Sequence, residues 1–62
     1  MSSLFHVIAI AEYMLDHFGD DAFRTVRERV EHHHAHADLE GASMWHRVGQ
    51  AVRELQRLRN SN

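Results

Sequence analysis

A chain of 62 residues is one domain at most, and at that size it buries only about 60% of the surface its unfolded form exposes. Such a scaffold leans on a disulfide, a metal or a partner subunit; the absence of Cys excludes disulfides and thiolate zinc sites. A net charge of -2 with neutral histidines weighs against a general nucleic-acid binder.

Pro is absent and no stretch alternates with period two, so the pattern predicts an all-α fold. The first helix is expected over 4–18, capped by Ser2 or Ser3. Leu4, Val7, Ile8, Ile10, Ala11, Met14, Leu15 and Phe18 share one arc and make the expected core face. Phe5, Ala9 and Tyr13 form a second stripe at i, i+4, i+8. That stripe is more apolar surface than a monomeric bundle requires. It either folds over the bundle's edge or meets a partner, where aromatics are enriched.

Gly19 is expected to end this helix in a left-handed conformation, with Asp20 or Asp21 capping the next. The second helix is expected over 21–37. Its apolar stripe is narrow: Ala22, Phe23, Val26, Val30 and Ala37. Arg24, Arg27, Glu28, Arg29 and Glu31 mix signs on the other faces, as on a solvated surface. Asp38 is placed to cap the third helix, expected over 40–58, with Leu39 turned back into the core. Met44, Trp45, Val48, Ala51, Val52, Leu55 and Leu58 share its apolar arc. Short connections predict consecutive helices packed antiparallel, giving a small three-helix bundle.

The apolar run 4–18 is shorter than the about 20 residues a membrane span needs and carries Glu12 and Asp16. Its amino-terminal side lacks the Lys or Arg of a signal peptide. A cytoplasmic location is therefore expected.

Two resemblances attach to particular residues. The junction Ala35-His36-Ala37-Asp38-Leu39-Glu40-Gly41-Ala42 resembles the helix-to-helix turn of tetratricopeptide-type hairpins. The pattern of Ala11-Glu12-Tyr13-Met14, His17-Phe18-Gly19-Asp20-Asp21-Ala22 and Asp38-Leu39-Glu40-Gly41-Ala42 followed by Trp45 is similar to short, uncharacterised helical proteins of proteobacteria, particularly alphaproteobacteria. The second resemblance implies no activity.

Four of the seven histidines fall within 30–42. Two imidazoles at i, i+4 on a helix can chelate a divalent ion such as Zn, Ni or Cu, and His32 and His36 have that spacing. His33 is a neighbour at i, i+3 from His36. A closed site needs a further ligand, and an antiparallel first helix would bring His6 to the cluster. The metal candidates are thus His32, His36, His33 and His6, set against solvated histidines with no metal or a pH-responsive surface.

No Ser or Thr sits in a nucleophile elbow, and the three glycines are scattered away from any phosphate-cradling loop. An enzyme is not expected. Arg47, Arg53, Arg57 and Arg59 make the end of the third helix basic, which suits its dipole. The same residues leave a nucleic-acid-binding homodimer as an alternative. The reading favoured by the residues is a protein–protein interaction or adaptor module, homodimeric through Phe5, Ala9 and Tyr13. Histidine-based metal binding is the first alternative.

Overall fold

The structure, a computed structural model, describes residues 3–61 and only the backbone of Ser3. The expected caps at Ser2 and the Ser3 side chain lie outside the described residues. Those that are described are almost wholly helical, with no strand among them.

Helix α1 (Ser3–Phe18) runs through a single 3-10 turn (Gly19–Asp21) into α2 (Ala22–Ala35), and α3 (Leu39–Arg59) follows the short break at 36–38. No irregular connection separates α1 from α2. The chain is therefore a helical hairpin whose first arm folds back at Gly19, where φ is +53°. A residue with a Cβ resists that conformation, and glycine does not. This departs from the expected three-helix bundle with helices over 4–18, 21–37 and 40–58.

Side-chain contacts set the directions. Arg29 lies over Trp45 and Arg53 over Phe23, so α2 and α3 run antiparallel. Arg59 reaches Asp16 at 3.4 Å, while Leu4 and Ile8 stand against Arg47 and Gln50. Hence α1 runs in the same sense as α3. Helix α3 is the shared partner: α1 and α2 touch each other far less than either touches α3.

The core sits along α3. Val7, Ala11, Met14 and Leu15 from α1 meet Ala22 and Val26 from α2 over Val48 and Val52, with Phe23, Met44, Trp45 and Leu55 at its margin. Its largest fully buried side chains are only valines: Val26, Val48 and Val52. Burying each such side chain is worth about 1.5–3 kcal/mol, so this core is thin.

Several expected core residues are outside it. Leu4 is 70% exposed, Leu39 68% and Leu58 53%, and Phe18 is also on the surface. Leu4, Phe18 and Leu58 lie at helix ends, where the stripe outruns the neighbour that would cover it. Leu39 opens α3 and does not turn back into the core. Ala37 is not helical: α2 stops at Ala35, and Ala37 takes a φ of +58°. Asp21 occupies the cap position of α2 without a capping hydrogen bond; its carboxylate pairs instead with Arg24 at 2.7 Å. Among the described residues no helix is long and apolar enough to cross a membrane.

Candidate functional site

Two places concentrate unusual chemistry: the histidine-rich turn between α2 and α3, and the outer side of α1.

The turn is built by backbone hydrogen bonds. The N–H of Ala37 donates to the His34 carbonyl at 3.0 Å, and the N–H of Asp38 donates to the His33 carbonyl at 2.8 Å. These are the two bonds of a Schellman ending, with Ala37 at the left-handed position glycine usually takes. In that motif the residues corresponding to His33 and Asp38 commonly make an apolar contact. Here they make a polar one: His33 Nδ1 donates to Asp38 Oδ2 at 2.9 Å. The other Asp38 oxygen accepts from the Gly41 N–H at 3.0 Å. Asp38 thus ties the last turn of α2 to the first turn of α3. The Gly41 backbone N–H, and after it the His33 ring, hold the Asp38 carboxyl below its ordinary range. A Cβ at Gly41 would sit 2.6 Å from His33 Nδ1 and against the Asp38 carboxylate, so glycine is needed for the three groups to close up.

The histidines are only partly gathered. His32 and His36 are brought together, ring centroids 4.3 Å apart. His36 Nδ1 donates to the His32 carbonyl at 2.8 Å. That bond leaves Nε2 as the lone-pair nitrogen, the arrangement in which a metal-binding imidazole is usually oriented. His33 is turned toward Asp38 and stands edge-on to His32 at 5.7 Å. Among the described residues no three His, Asp or Glu side chains converge on a point that could hold an ion. Among the described residues, His6 is not grouped with two of His32, His33 and His36 around a common point.

On α1, Phe5 is 76% exposed and Tyr13 57%; Ala9 between them is also on the surface. The Tyr13 ring stacks on His17, centroids 3.9 Å apart, and His17 Nδ1 donates to the Tyr13 carbonyl at 3.0 Å. The stripe thus has an open end at Phe5 and a partly covered end at Tyr13. An open groove of about 570 Å3 runs between α1 and α3. Leu4, Val7, Ile8, Ala51 and Leu55 supply its apolar wall, and Arg47 and Glu54 line it with charges. Sequence periodicity places Leu4 and Ile8 in the core and does not reveal this groove. The signal that bears on it is the 47, 51, 54, 58 spacing on α3, which puts Arg47, Ala51, Glu54 and Leu58 on one flank.

Three of the four arginines at the basic end of α3 are engaged by side chains of the chain itself. Arg57 pairs with Glu54, Arg59 meets Asp16, and Arg53 lies over Phe23 at 4.9 Å. On α2, Arg24 and Arg29 are likewise engaged by Asp21 and Trp45.

No family model matches the chain, and no curated protein and no solved structure is significantly similar to it.

Proposed function

We propose that the chain is a protein–protein interaction module that pairs with a second copy of itself through the outer face of α1. The observation that carries this reading is the exposure of Phe5, at 76% the most open large apolar side chain among the described residues. Phe5 follows Leu4, which is 70% exposed and forms part of the wall of the apolar groove. An aromatic side chain buries about 150–250 Å2 when covered, and aromatic anchors near the centre of an interface carry most of its affinity. Ala9 and Tyr13 extend the contact as its rim, because Tyr13 already rests on His17.

The thin core gives the pairing a physical motive. The chain exposes 4632 Å2, and an interface of standard size covers about 800 Å2 per partner. A second copy over α1 would close the open side of the α3-centred hairpin as a homodimer. It would also supply the subunit staple a domain of this size commonly uses.

The alternative with a specific observation behind it is divalent-metal binding at His32 and His36, whose rings lie 4.3 Å apart. Native mass spectrometry of untagged protein purified without immobilised metal separates the readings, because it counts subunits and bound ions together. A metal-free dimer that Phe5→Glu converts to a helical monomer is the expected result. A monomer at every concentration overturns the self-association reading, and one tightly held ion per chain moves the functional centre to His32 and His36.

A further inference from the structure

We propose that the groove between α1 and α3 is the seat for Phe5 of the second copy, with Arg47 and Glu54 setting the register in which the two copies meet. This rests on the self-association reading above and specifies its geometry.

The groove carries opposite charges at two points of one helix. Arg47 and Glu54 both line it, seven residues apart on α3, which is about 10.5 Å along the axis. A twofold interface sets a surface patch against the same patch reversed. With the axis passing near Ala51, midway between them, Arg47 of one copy faces Glu54 of the other, and the contact occurs twice. If the two α3 helices ran in the same sense, Arg47 would face Arg47 and Glu54 would face Glu54. The charges therefore select the antiparallel arrangement. Ala51 suits its central place, since its small side chain lets the two helices approach. Both Glu54 oxygens also accept from Arg57 of its own helix, and each keeps a lone pair for a second donor.

Phe5 supplies the apolar half of the fit. It follows Leu4 and lies at i, i+3 to Ile8, so it borders the groove wall those two residues build. Under the same twofold axis each copy presents Phe5 to the other's groove. A second copy is favoured over a different polypeptide because lock and key lie on one chain. A partner carrying a single sign of charge would meet a like charge at Arg47 or at Glu54.

The test uses two charge reversals in the full chain, read by sedimentation equilibrium. Arg47→Glu alone sets two carboxylates against each other across the axis, and Glu54→Arg alone sets two guanidinium groups together. Each variant by itself is expected to dimerise roughly tenfold more weakly, from two symmetric contacts each worth a few-fold. An equimolar mixture is expected to regain wild-type affinity as a heterodimer. There the carboxylate introduced by Arg47→Glu in one chain faces the guanidinium introduced by Glu54→Arg in the other, and at the second contact the native Glu54 of the first chain faces the native Arg47 of the second. Local damage to either chain cannot produce that rescue, and both side chains are exposed, so helicity by circular dichroism should be unchanged. Wild-type dimerisation by both single variants, or a mixture as weak as its parts, overturns the groove assignment while self-association through α1 stands. A wild-type protein that never dimerises overturns both and leaves the groove to a different polypeptide.

Discussion

Replacing Ala37 by Gly should make this protein more stable, although it removes a good helix former from beside a helix. Ala37 holds φ at +58°, and a left-handed conformation costs a residue with a Cβ roughly 1–2 kcal/mol. Glycine escapes that cost but gives the unfolded chain more freedom, which returns about 0.4–1 kcal/mol. Ala37 is exposed, so its methyl group contributes little packing to set against the gain. The net expectation is a stabilisation of about 0.5–1 kcal/mol, or a rise in Tm of roughly 2–8 °C for a domain this size. Thermal unfolding followed by circular dichroism at fixed protein concentration measures it, the concentration being held because association raises Tm by mass action. Gly19→Ala is the internal control. Its φ is +53° and an added Cβ would meet no atom within 4 Å, so its expected loss of about 1 kcal/mol arises from backbone conformation alone. An Ala37→Gly protein that melts at or below the wild-type temperature, beside a destabilised Gly19→Ala, would refute the left-handed ending of α2.

Other consequences follow from single side chains. The Asp38 carboxyl is held below its ordinary value near 3.8, so its stabilising effect is complete above that value and is lost as pH falls through the depressed one; the Tm advantage of wild type over Asp38→Ala should be constant at neutral pH and vanish only below about pH 4, and an advantage already gone at pH 6 would contradict the assignment. Val48 is fully buried, and Val48→Ala should cost about 2 kcal/mol, a large share of what a chain this small possesses; denaturant titration reads it as a lower midpoint, and an unchanged midpoint would mean the core lies elsewhere. Copper or nickel titrated into metal-free protein should bind weakly, with His36→Ala reducing the binding and His6→Ala leaving it unchanged; equal losses in both would place His6 at the cluster after all.

How much of this is legible in the sequence differs from turn to turn. The end of α1 is readable because Gly19 sits just past the last apolar position and is followed by two aspartates, so composition and geometry agree. The end of α2 is not readable in the same way. Alanine favours helix, and nothing in Ala35-His36-Ala37 marks a stop, so propensity and periodicity carry the helix on to 37. What stops it is Asp38, whose side chain caps α3 and binds His33 at once. Both contacts require the chain to turn before Asp38, and Ala37 absorbs the left-handed residue. Asp38 is recognisable as a cap, but its second partner and the need for Gly41 depend on where the His33 ring ends up in space.

The same distinction explains the candidate surfaces. The α1 stripe Phe5, Ala9, Tyr13 follows from periodicity alone, since a helix can bury one broad face and this one carries apolar residues beyond it. Whether His6 reaches the histidine cluster depends on which helix α1 packs against, and periodicity is silent on that: any pairing of the three apolar faces satisfies the pattern. The fold selects α3 as the common partner. That choice leaves Leu4 and Ile8 along a groove that also contains Arg47 and Glu54. The geometry that gathers the apolar faces of α1 and α2 around α3 is therefore the same geometry that leaves an apolar wall and two opposite charges open along one side.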